Sequence, residues 1–117
     1  MLDLLIRNGH VIDPANGVDE VRPVAVYNGK IVRYEEGEDA RHVIDAEGRM
    51  VFPGLIDSHA HMFAEGTDIG IYPDLAYLPT GVTSAVDATA GVSNYRMFRQ
   101  AVIERSKVTI KSFLQVC

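Results

Sequence analysis

The stretch Val51-Phe-Pro-Gly-Leu-Ile-Asp-Ser-His-Ala-His61 narrows the folding choices of this chain most. Its opening is almost continuously apolar, as expected of a parallel strand covered on both faces. A parallel strand needs a crossover to reach its neighbour, so the residues that follow should alternate helix and strand. On a strand, residues i and i+2 point the same way. Leu55, Asp57, His59 and His61 are therefore expected on one face, and Ile56, Ser58 and Ala60 on the other. Two imidazoles converging from one strand make half of a metal site.

The residues after His61 fit that demand. Gly66 to Gly70 reads as a loop. Pro73 to Leu78 suits a short helix with proline in its first turn, ended by Pro79-Thr-Gly81. Val82 to Asp87 is a second strand and Ala88 to Val92 a loop. Ser93 is expected to cap a helix running to about Ser106, with Tyr95, Phe98, Val102 and Ile103 at helical spacing. Val108 to Val116 is a third strand. The fold class is α/β, with a β-α-β-α-β segment from residue 51 to 117.

Residues 1–50 read differently, as short strands and tight turns. Asn8-Gly9 between Leu2–Arg7 and His10–Ile12 is expected to form a type I′ hairpin, as is Asn28-Gly29 between Val24–Tyr27 and Lys30–Arg33. Asp13 to Gly17 is turn chemistry. Glu35 to Asp39 is a solvated acidic loop, and His42 to Asp45 a short strand.

Eleven Lys and Arg stand against 16 Asp and Glu, a formal charge of -5. Without a basic face, nucleic acid and anionic membranes are poor partners. The apolar runs fall short of the roughly 20 residues a membrane span requires. The N-terminus carries Asp3 early and does not read as a signal peptide. Cys117 is the single cysteine, which suits a reducing cytoplasm; it has no partner for a disulfide, and a catalytic thiol there is a poor reading.

These residues together carry a family likeness. Leu4-Leu-Ile-Arg-Asn-Gly-His-Val-Ile-Asp-Pro14, Val26-Tyr-Asn-Gly-Lys-Ile31, Val43 through His61 and Gly81-Val-Thr-Ser-Ala-Val-Asp87 resemble the N-terminal portion of an amidohydrolase-superfamily metal-dependent hydrolase. The likeness is to the dihydroorotase, hydantoinase and deacetylase branch, and from Asp57 through Asp87 to its deacetylase-type members. It implies a partial β-sandwich over 1–50 and, over 51–117, the first three strands and two helices of a TIM-like (β/α)8 barrel. It implies hydrolysis of a carbon–nitrogen bond other than a peptide bond, or of an acetyl ester, with one or two divalent metals, commonly zinc. His59 and His61 would be metal ligands, and metal-bound hydroxide would attack the carbonyl of a small-molecule substrate.

The sequence departs from that pattern in two ways. Dihydroorotases usually carry an arginine two residues after the second histidine, where Phe63 stands here, so an apolar or differently anchored substrate is expected. A full barrel takes about 250 residues, and the carboxylated lysine, later histidines and catalytic aspartate of the family find no match. Lys107 and Lys111 do not correspond to the family's lysine. The expectation is an N-terminal fragment without turnover of its own, its third strand an open edge that a homo-oligomer would cover. The alternatives are an inactive structural or oligomerising module, or a small metal-binding protein using His59, His61 and Asp87.

For the remaining residues the plainer readings sit beside the functional ones. Asp57 either orients a ligand histidine or closes a local hydrogen-bond network. Asp87 and Phe63 are pocket candidates, with turn formation and packing as the simpler roles. Tyr72 and Tyr77 are pocket candidates as well, with ordinary packing as the simpler role. Glu65 reads as a solvated loop acid, and His10 and His42 as surface histidines.

Overall fold

The two Asn-Gly pairs direct the first part of the chain in opposite ways. The computed structural model describes residues 1–116; Cys117 lies outside them. The chain divides into one unit spanning Met1–Pro53 and a second starting at Gly54. The first contains β1 (Leu2–Arg7), β2 (His10–Asp13), β3 (Val18–Val21), β4 (Val24–Tyr27), β5 (Lys30–Val32), β6 (Ala40–Asp45) and β7 (Met50–Val51). The hairpin β4–β5 forms as expected, with Asn28 at φ 50° and Gly29 at φ 71°. Those two left-handed residues are what a type I′ turn requires.

Asn8-Gly9 makes no hairpin. β1 belongs to a sheet of order β5-β4-β1-β6, and β2 to a separate sheet of order β3-β2-β7. Asn8 is left-handed, at φ 57°, but Gly9 is there for room. A Cβ on Gly9 would lie 2.6 Å from Val51 Cγ2 and 3.2 Å from the Ala46 Cβ. The dipeptide thus carries the chain from one sheet into the other. The Asn8 amide anchors the step by donating to both Asp45 carboxylate oxygens, at 3.1 and 3.0 Å. Leu2, Leu5 and Ala25 form the buried centre of the four-stranded sheet, packed by Val32, Tyr34 and Ala40.

The second unit contains β8 (Leu55–Ala60), α1 (Pro73–Tyr77), β9 (Val82–Asp87), α2 (Tyr95–Phe98) and β10 (Thr109–Ser112). Its three strands are parallel, in the order β10-β9-β8. The element order agrees with the sequence reading; three boundaries do not. Val51–His61 is not one strand, because Val51 pairs with β2 and the chain is irregular from Phe52 to Gly54. Pro53 has no N–H for a ladder, and Gly54 admits Thr83, whose Oγ1 would lie 2.1 Å from a Cβ there. The second helix begins at Tyr95 rather than after Ser93, and passes into a π-helical stretch over Arg99–Ile103. Asn94 takes the position before it, with its side-chain oxygen accepting the Gly91 N–H at 2.9 Å. The third strand is short, with only a bridge between Gly91 and Gln115 beyond it.

The apolar spacing of that helix holds nonetheless. Phe98 is fully buried among Ala60, Met62, Phe63, Ala85, Ala90, Val108 and Ile110, and Tyr95, Val102 and Ile103 pack against this cluster. Asp74 in α1 ties the helical layer to the start of β10. It accepts the Ser106 hydroxyl, the Lys107 N–H at 3.0 Å and the Val108 N–H at 3.2 Å. Among the described residues no helix is long and apolar enough to cross a membrane.

Gly9→Ala is expected to destabilise the first unit by about 1–3 kcal/mol, the usual cost of forcing a methyl group into a packed contact. Urea unfolding measures it: the midpoint should fall with the slope unchanged. Equal midpoints for the variant and the parent chain would remove the packing explanation for this glycine.

Candidate functional site

A β-bulge places the two histidines. In the parallel ladder, Ile56 pairs with Ser84 and Asp57 with Ala85, but the next pair is Ala60 with Asp87. Three steps on β8 answer two on β9, so the chain bulges at Ser58–His59. A bulge shifts the alternation by one residue. Asp57 and Ala60 consequently face the same side, toward the helices. The Tyr77 hydroxyl donates to Asp57 Oδ2 at 2.8 Å, and Ala60 is 4% exposed in the core cluster.

His59 and His61, flanking Ala60, project from the other face. Their ring centroids lie 5.3 Å apart with the planes at 67°. This corrects the expected set of Leu55, Asp57, His59 and His61 on a single face: the two histidines stay together, and the bulge separates Asp57 from them. Ile56, through its partner Ser84, shares the histidine face rather than that of Ala60.

The histidine end of β8 is held through its main chain. The Ala88 N–H donates to the Ala60 carbonyl and the Ile71 N–H to the His61 carbonyl, both at 2.8 Å. The Met62 N–H donates to Asp87 Oδ1 at 2.8 Å. Asp87 is 0% exposed, and three further donors converge on it: the Thr89 hydroxyl at 2.7 Å, the Thr89 N–H at 3.0 Å and the Ala90 N–H at 2.9 Å. Burial pushes its carboxyl pKa up, but these donors more than offset that and hold it below the usual value. Buried carboxylates stay charged when so many donors face them.

Asp57 acts on the backbone of its neighbour rather than on a ring. Its Oδ1 accepts the His59 N–H at 3.0 Å. That bond, and then the Tyr77 hydroxyl, hold the Asp57 carboxyl below its ordinary range. Tyr77 is pushed up to about 12 by burial and by Asp57.

The buried Nδ1 of His61 has no hydrogen-bond partner. An unsatisfied buried nitrogen costs roughly 1–3 kcal/mol, and a cation shared with the adjacent His59 ring would satisfy it. Imidazole nitrogens are good ligands for zinc and related metals. The pair fits part of a metal site. Among the described residues no group of three or more His, Cys, Asp or Glu side chains is placed to hold a metal. Asp87 does not complete a trio with the histidines, because its oxygens are engaged by Met62, Thr89 and Ala90.

Phe63 is 1% exposed and stacks at a tilt on Phe98, with centroids 5.3 Å apart. Gly66 lies so close that a Cβ there would be 2.3 Å from the Phe63 ring. Phe63 and Asp87 are thus enclosed rather than lining a cavity. Tyr72 borders an apolar cavity of about 290 Å³ between α1 and the second helix, with Met62, Glu65, Val102 and Arg105. Its hydroxyl donates to Glu65, which raises the tyrosine pKa. His10 is a half-buried partner of Asp19 at 2.5 Å, and His42 is exposed on β6.

Sequence reasoning gave Asp87 a turn and missed its reach to Met62. The signal for the turn was readable, since aspartate followed two residues later by threonine favours an Asx turn. The reach across to the end of β8 has no local signature.

A linkage prediction follows from Asp87. Its folded pKa lies below the ordinary 3.8, so its contribution is present above that value and lost as pH falls through the folded pKa. The second unit should therefore lose stability below about pH 4. Asp87→Asn should make that acid loss shallower and cost about 1–3 kcal/mol at neutral pH, because an amide NH2 would confront backbone donors. Urea unfolding from pH 3 to 7 measures both; unchanged stability at neutral pH would count against the lock.

Against this geometry stand the similarities to known proteins. The profile of the amidohydrolase family matches residues 42–105. A deacetylase of Agrobacterium fabrum is 45% identical over 74 residues, which cover 62% of this chain and 18% of that protein. The crystal structure of a dihydroorotase superposes with a TM-score of 0.82 at 30% identity, covering 95% of this chain and 30% of the other. An N-acyl-D-glutamate deacylase from Bordetella bronchiseptica, complexed with zinc and a phosphonate inhibitor, superposes with a TM-score of 0.58 at 34% identity, covering 74% and 18% of the two chains. The chain spans 18% of the length of the Agrobacterium deacetylase it matches.

Proposed function

The chain belongs to the amidohydrolase family, and on that footing we propose that it is the N-terminal, metal-holding segment of a hydrolase acting on an amide, cyclic amide or acetyl bond. The observation that carries this reading is the partnerless buried Nδ1 of His61 beside the His59 ring. The zinc in the Bordetella deacylase supports the choice of metal. The parallel β8-β9-β10 sheet, with its buried core on the helical side, is read as the opening of a (β/α)8 barrel. The first unit is read as part of a β-sandwich.

His59 and His61 would hold the cation. When bound, a divalent metal such as zinc polarises a carbonyl and activates water near neutral pH. The chain's own residues fix where that chemistry happens. Asp57 sets the backbone of His59, Asp87 and Ile71 together hold the peptide that follows His61, and Ala88 holds the one before it. The core around Phe63 and Phe98 closes the sheet from behind against water.

A catalytic zinc takes three protein ligands and keeps one open position. The described residues supply two, so turnover belongs to an assembly that adds the others, and this chain alone should bind metal without hydrolysing substrate. The buried Phe63, in place of a substrate-binding arginine, favours a deacetylase-type over a dihydroorotase-type reaction.

Zinc titration tests the proposal. The parent chain should bind about one zinc ion at least tenfold more tightly than the His59→Ala/His61→Ala variant, followed by calorimetry with metal analysis of the dialysed protein. Equal zinc uptake by the two would end the reading.

A further inference from the structure

The face that carries the histidines also carries a lysine. Ile110 pairs with Ala85, and both are buried against the helices. Lys111 pairs with Val86, one residue on, so both face the opposite way, with His59 and His61. Ser112, Asp87 and Ala60 form one row across the three strands. Lys111 lies one residue before that row on β10, as His59 does on β8. The backbones of β8 and β10 are two strand spacings apart, about 10 Å. The four-carbon stem of lysine can span part of that gap, which leaves room for a small molecule between its ammonium and the imidazoles.

Lys111 has no ion-pair partner among the described residues. Parallel sheets are normally covered on both faces, and an ammonium covered without a counter-charge is costly. An anion reaching that face beside the metal answers both problems. We infer that Lys111 is a specificity-determining residue that anchors a carboxylate on the substrate, away from the bond being cleaved. The position two residues after His61 cannot do so, because Phe63 is buried in the core on the other side of the sheet. The inference rests on the proposed metal-holding role of His59 and His61.

The test uses two titrations on the whole chain. Zinc is titrated first into the parent chain, Lys111→Met and Lys111→Arg, and the three should agree within about twofold. N-acetylglycinate and its neutral analogue N-acetylglycinamide are then titrated into the zinc-loaded proteins. Lys111→Met should weaken the acid roughly tenfold, the scale of one charged hydrogen bond. Lys111→Arg should restore most of that loss, and the amide should respond to neither change. If the parent chain takes up no zinc, the metal reading fails, and this inference with it, at the first titration. If zinc binds but N-acetylglycinate does not, or acid and amide weaken alike in Lys111→Met, the carboxylate anchor alone is overturned.

Discussion

One extra residue on one strand governs the chemistry of the second unit. A regular β8 would put Asp57, His59 and His61 on a single surface. The bulge at Ser58–His59 gives Asp57 and Ala60 to the helical side and leaves the two imidazoles on the other. That division lets an acid and a pair of imidazoles share the five residues from Asp57 to His61 without competing. Asp57 is engaged by the His59 amide and the Tyr77 hydroxyl, while the rings remain free to meet a cation. Bulges cluster at functional sites because they re-aim side chains in this way.

A bulge loosens the ladder it interrupts, so something must restore order at the end of β8. Asp87 does this from the neighbouring strand. Its carboxylate gathers the Met62 amide on one side and the Thr89 and Ala90 donors on the other. One buried charge thereby fixes the exit of β8 against the exit of β9. The Ala88 to Ala60 and Ile71 to His61 main-chain bonds complete the frame. The histidine pair is positioned by backbone hydrogen-bonded before and after His61, with the open face of the sheet in front of it.

Much of this was legible in the residues, for reasons particular to each. Asn28-Gly29 declared its hairpin because both residues tolerate left-handed backbone and alternating strands flank them. Tyr95, Phe98, Val102 and Ile103 declared their buried stripe by spacing alone. Asn8-Gly9 looked like the same turn signal and was not one, because the demand for glycine there is set by Val51 and Ala46, some 40 residues away. The bulge was invisible for a related reason. Strand periodicity is a property of one strand, whereas a bulge is a mismatch between two, and only the pairing with β9 exposes it. The approach of His59 to His61 survived that error because the chain from His59 onward keeps its two-residue alternation.

The Asp87 lock has a consequence for divergence. Three of its four hydrogen-bond donors are main-chain N–H groups, which any amino acid except proline can provide. Side chains at positions 62 and 90 can therefore change within the limits of the space they fill without altering the electrostatics at the carboxylate. The acceptor has no such freedom. A lineage descending from this chain would keep an acid at 87 while the residues facing it wander, and a search for paired substitutions would overlook the contact.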